Sequence, residues 1–310
     1  MQTLKSIRLV CRMQQFEIIA VGLMAAALVG AALYVANELN AVGYGPCALA
    51  AAPPPSCEAL GRRFFGLQDA HANPVFAFMN LLPYAVGLFL GAPLIARELE
   101  RGTARLAWSI APSRLRWYAW RVVPVVVFAV VVTWAAGFAV DRLVAARTPG
   151  IDLENSFDTY GQRGALVAIT AFVIVAGAIG LGTVVGRVLP TLIAALILGY
   201  FGIFGVQHLH ADFTARDAVI VAEDDLKPGD RYIDQFFKLP DGRVVGYEEL
   251  AQIAPASVTS ETGPTYPIVY EVIPAERYRE VETREALIEV AFGLAFLGLG
   301  AFVVGRRRPG

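Results

Sequence analysis

The chain has 310 residues, 56% of them hydrophobic and only 17% charged, with a net charge of −1 and a mean hydropathy of +0.54. Soluble domains carry roughly a quarter charged residues. The composition therefore excludes one or two water-soluble domains, disordered chains and low-complexity repeats, and leaves a membrane protein. Only Lys5, Lys227 and Lys238 are lysines. A phosphate-binding P-loop needs a Lys preceded by Gly. These three follow Leu4, Leu226 and Phe237, so the chain has no such loop of its own.

A membrane span needs about 20 mostly apolar residues. Six stretches qualify: 18–36, 75–96, 122–140, 165–186, 188–206 and 286–305. Basic residues orient them. Residues 1–17, 97–121, 187 and 306–310 hold half of the 26 Lys and Arg residues, while only Glu17, Glu98 and Glu100 of the 27 acids fall there. The positive-inside rule then predicts both termini in the cytoplasm. The expected architecture is an all-α polytopic membrane protein of six helices, N-in and C-in, with a small α+β extracytoplasmic cap between helices five and six.

The expected organisation in chain order starts with a membrane domain over 1–206. It comprises an interfacial helix at 1–17, an outer loop at 37–74 and a cytoplasmic segment at 97–121. The cap covers 207–285, and residues 286–310 form the sixth helix and a basic tail. In the outer loop, Cys47 and Cys57 face an oxidising exterior, which predicts a disulfide. The alternative is two free thiols. In the cap, residues 235–246 read as two short strands around an Asp241-Gly242 turn, and 247–254 and 274–285 read as helices. The alternative there is a loop with little fixed structure.

Chemistry-bearing clusters are few. His208, His210 and Asp212 could place ligands on one face of a strand, but zinc needs three or four supported ligands. A polar cuff at the end of span five is the simpler reading, and no metal is expected. Glu223, Asp224 and Asp225 lack the spacing and glycine of a calcium loop. Glu17 and Glu289 are the acids that touch the hydrocarbon, where a carboxylate is expensive. Gly182 and Gly186 have small-xxx-small spacing for close helix packing.

The most informative segment is Arg97-Glu98-Leu99-Glu100-Arg101-Gly102-Thr103. It follows span two without a linker and is continued by Pro112-Ser113-Arg114. Read alone, it is a short amphipathic helix at the inner surface, and a basic anchor on anionic lipid would explain its arginines. These residues resemble the segment that couples membrane subunits of type-2 ATP-binding-cassette exporters to their ATPase. Phe64-Phe65-Gly66-Leu67-Gln68, Pro274-Ala275-Glu276-Arg277-Tyr278 and Ile288-Glu289 are similar to a bacterial branch of that family.

The resemblance implies a multi-pass permease subunit in a bacterial cell membrane, without enzymatic activity of its own. It further implies two copies of a separate ATPase, with ATP and Mg held there and no cofactor on this chain. A second permease subunit, identical or closely related, and membrane lipid complete the expected partners; nucleic acid is not among them. Arg97, Glu98, Glu100, Arg101, Gly102 and Thr103 are then the coupling residues. Glu98 and Glu100 are expected to face a basic groove on the ATPase, and Glu289 to tether the outer end of helix six, with Arg277 and Arg284 as its nearest basic candidates. The competing reading is a membrane sensor or immunity protein whose cap binds an external ligand without transport.

Overall fold

The computed structural model describes residues 14–50, 52–111, 113–253 and 266–307, with side chains for all of these except 105, 110 and 202–215. Most of the expected interfacial helix, Cys11, Pro112, residues 254–265 of the cap and the side chains of His208, His210 and Asp212 lie outside the described residues. The chain divides into two units, one of residues 1–150, 161–203 and 283–310, the other of residues 151–160 and 204–282.

The first unit is a helical bundle. Its helices are α1 (Gln15–Val42), α2 (Ser56–Glu100), α3 (Thr103–Ile110), α4 (Arg114–Arg147), α5 (Gly164–Val185), the first part of α6 (Val188–Thr214) and most of α8 (Tyr278–Arg306). Among the described residues, five helices are long and apolar enough to cross a membrane: Gln15–Val42, Ser56–Glu100, Arg114–Arg147, Gly164–Val185 and Ala275–Arg306. The fifth expected stretch, 188–206, opens α6, whose fully described apolar portion is Val188–Phe201. The chain is therefore a multi-pass helical membrane protein.

The expected outer loop at 37–74 is largely helical instead. Helix α1 continues to Val42, where Gly43 takes a left-handed conformation, and α2 begins at Ser56, 19 residues before the apolar run itself. A polar, amphipathic turn sequence with the Glu58–Arg62 ion pair extends the helix beyond the apolar stretch. A hydropathy window does not see such an extension. Cys47 and Cys57 are joined in a disulfide, with Cα atoms 5.7 Å apart. Beside it Tyr44 stacks on Phe64 at 4.8 Å.

Helix α2 is loosened by two π turns, Gln68–Ala72 and Gly87–Gly91. The second has a packing cause. A Cβ on Gly91 would stand 2.9 Å from both the Val175 carbonyl and the Ala178 methyl of α5. Only glycine lets the two backbones come this close, and dispersion over that contact replaces the hydrophobic drive that lipid does not supply. Gly182 plays the same part against the Ala92 carbonyl at 2.9 Å. Gly186, by contrast, is the left-handed cap that ends α5, its N–H donating to the Gly182 carbonyl at 3.0 Å. The small-xxx-small pair thus splits into one packing glycine and one terminator.

The second unit is α+β. Strands β1 (Val219–Ala222), β2 (Arg231–Lys238), β3 (Val244–Val245) and β4 (Ile268–Ile273) form an antiparallel sheet in the order β1-β4-β2-β3. The β2–β3 hairpin pairs Phe237 with Val245 around Gly242, whose φ is +86°, and Asp241 accepts from the Arg243 N–H at 2.9 Å. Helix α7 (Tyr247–Ile253) follows, and Leu250 packs with Leu239 and Val245. Residues 151–160 belong to this unit, because Phe157 is buried against Ile273, Tyr278 and Val281.

Candidate coupling site at the basic end of the bundle

The segment 97–103 is not a separate surface helix. Arg97, Glu98, Leu99 and Glu100 form the last turn of α2, so they are as rigidly placed as the apolar helix before them. Gly102 then takes φ +71°, its N–H donating to the Leu99 carbonyl at 3.2 Å, and the chain turns into α3. A side chain at 102 would meet no neighbour, so the glycine is there for its backbone. The Thr103 hydroxyl closes the turn by donating to the Glu98 carbonyl at 3.3 Å.

Each acid of this turn is held by a different helix. Glu98 is paired with Arg121 of α4 at 2.9 Å, the two side chains 6% and 13% exposed. Arg97 donates to Glu17 of α1 at 2.6 Å. Glu100 accepts from the Val188 N–H at 2.9 Å and so caps the first turn of α6, where the helix dipole favours an anion. A second layer lies alongside. Ser113 caps α4 by accepting from the Arg116 N–H, Arg114 donates to the carbonyls of Gly305 in α8 and of Arg307 just past its end, and Arg307 reaches the Val184 carbonyl of α5 at 3.4 Å. The Arg114 guanidinium also lies over Trp108 at 5.0 Å, and Trp108 meets Trp117 edge-on.

These contacts join the N-terminal ends of α1, α4 and α6 to the C-terminal ends of α2, α5 and α8. The six helices therefore alternate in direction, and their basic ends share one end of the bundle. Burial within the turn is graded: Glu98 is buried and Arg97 half-buried, while Glu100, Arg101, Gly102 and Thr103 are exposed. The site has an anchored base and a free tip.

This geometry corrects the reading of Glu98. The carboxylate points into the bundle at Arg121 rather than toward a partner's groove, because an ion buried in an apolar setting must find its counter-charge inside. Sequence reasoning also missed Glu17 and Arg121 as members of the site. Both stand at span ends with an unmatched charge, which was the available signal; which charge meets which is decided by helix packing.

At the opposite end, Glu289 of α8 accepts from the Thr170 hydroxyl of α5 at 3.0 and 3.3 Å. Arg277, one basic candidate for that acid, is engaged with Asp217 at 3.6 Å within the second unit. Among the described residues, no three His, Cys, Asp or Glu side chains stand close enough together to hold a metal ion.

The bundle of long apolar helices with its charged end defines a multi-pass membrane protein. The profile of the family described as ABC-2 membrane transporter related matches residues 18–210. The chain belongs to that family. Neither curated proteins nor solved structures give a match.

Proposed function

We propose that the chain is the membrane subunit of a bacterial ABC exporter. It crosses the cell membrane six times with both termini in the cytoplasm, pairs with a second permease subunit, and is driven by two copies of a separate ATPase that hold ATP and Mg. The 97–103 turn is the contact with that ATPase, and the cap lies outside. Glu289 secures the outer half of α8 to α5 through Thr170.

The observation that carries this reading is the division of the 97–103 turn into a clamped base and an exposed tip. Glu17, Arg121 and the α6 N-terminus hold its base, so a push on Arg101 or Thr103 is transmitted to α1, α2, α4 and α6 together. A lipid anchor needs only loosely held basic side chains and has no use for three acids locked to three helices. The disulfide between Cys47 and Cys57 agrees with an oxidising exterior at the opposite end of α1 and α2. Purifying the tagged full-length chain from its own membranes tests the proposal: a P-loop ATPase should co-purify in equal amount. A stable, folded chain that brings no such ATPase would overturn it.

A further inference from the structure

The end of the bundle opposite the charged turn carries a groove between α1 and α4. It encloses about 400 Å³, with the exposed polar side chains of Asn37, Asn40 and Arg142 at its rim and Leu33, Ala36 and Ala145 completing its lining. Helical spacing puts Leu33, Asn37 and Asn40 on one face of α1. On α4, Trp134 and Phe138 precede Arg142 at four-residue steps, and the two rings stack 6.3 Å apart with about half of each exposed. The Arg142 guanidinium lies over Phe138 at 5.2 Å and is exposed. Its neighbour Asp141 is turned to Arg163 at 3.5 Å, and among the described residues Arg142 has no carboxylate partner.

This combination has a specific chemical complement. A guanidinium fork flanked by two amides binds a phosphate through parallel N–H donors. Below the rim, the ladder from Arg142 down to Trp134 spans eight residues, about 12 Å of helix, and offers only apolar and aromatic surface. A soluble anion would use the rim and leave the aromatic ladder bare; a phospholipid covers both.

We propose that this groove is a binding site for an anionic phospholipid, its phosphate held by Arg142, Asn37 and Asn40 and its chains laid along Phe138 and Trp134. The lipid wedges α1 against α4, the two helices that also hold Glu17 and Arg121 at their other ends. Placing the site in the outer leaflet rests on the orientation proposed above; the headgroup preference does not.

Native mass spectrometry of the delipidated full-length chain tests the site, titrating phosphatidylglycerol against phosphatidylcholine. The wild type should retain phosphatidylglycerol at about fivefold lower concentration. Arg142→Gln should erase that preference and Arg142→Lys should keep most of it. Asn37→Ala with Asn40→Ala provides a second reading of the rim and should also weaken the preference. Equal retention of the two lipids by the wild type, or an unchanged preference in folded Arg142→Gln, would overturn the proposal. So would displacement of the lipid by inorganic phosphate, which would assign the rim to a free anion. An Asn40→Cys variant in intact cells separates the leaflet question: modification by an impermeant maleimide is expected. Protection there, with the lipid preference intact, would refute the orientation and the outer-leaflet placement alone.

Discussion

Glu98 of α2 and Arg121 of α4 form an ion pair at 2.9 Å with side chains only 6% and 13% exposed. Removing Arg121 leaves the Glu98 carboxylate without this counter-charge in an apolar setting, and removing Glu98 takes the carboxylate from Arg121. The pair therefore acts as a bolt between two membrane helices rather than as a surface for a partner.

Neutralising one member of that pair should be costly and neutralising both much less so. Glu98→Gln or Arg121→Gln alone should destabilise the bundle by about 3 kcal/mol, because breaking a buried pair leaves an uncompensated charge. The double variant should recover most of the loss. Thermal unfolding in detergent reads the three variants. Singles that melt with the wild type would show that the pair is structurally idle. Glu98→Lys, which sets two cations together, would report folding before it reported ATPase docking.

Glu289 gives a transport prediction at the other end. Glu289 accepts two hydrogen bonds from Thr170, a neutral partner that an amide also satisfies. Glu289→Gln should therefore fold and still bind the ATPase, yet export more slowly in vesicles. Wild-type export would return the residue to a wetted helix-end role.

The second unit should lose stability in acid. Asp152 is held below the usual carboxylate range, first by the Asn155 amide at 2.8 Å and then by the Glu154 N–H. Asp241 is lowered by the Arg243 side chain first, and Glu276 by Lys227. Carboxylates depressed in the folded state contribute stability that is present above their unfolded values of about 4 and is lost as pH falls through the depressed ones. Protection of the β-sheet amides, taken relative to the intrinsic exchange rate at each pH, should fall below about pH 4, and Asp152→Asn should flatten part of that dependence. Protection that stays constant down to pH 2 would contradict it.

The sequence reading succeeded where lipid or a tight turn imposes a local rule. An apolar run must become a helix in a membrane, and Asp241-Gly242 must reverse a strand, so α1, α4, α5 and the β2–β3 hairpin were legible. It failed where partners are distant. Strand β4 is placed by β1 and β2, and Phe157 joins the cap through Tyr278, more than a hundred residues away. At the site, the charged turn stood out by itself. That Glu17, Arg121 and the α6 N-terminus would claim its charges depends on helix packing, which residue spacing along one segment does not encode.

Coupling requires the tip of the 97–103 turn to touch an ATPase while its base stays inside the bundle. Site-specific photocrosslinking reads this directly, with the probe at exposed Arg101 in one preparation and at buried Glu98 in the other. The probe at 101 should link the chain to a P-loop ATPase, and the probe at 98 should link only within the chain. Links from 101 to lipid alone, with the chain folded and the ATPase present, would contradict the coupling role.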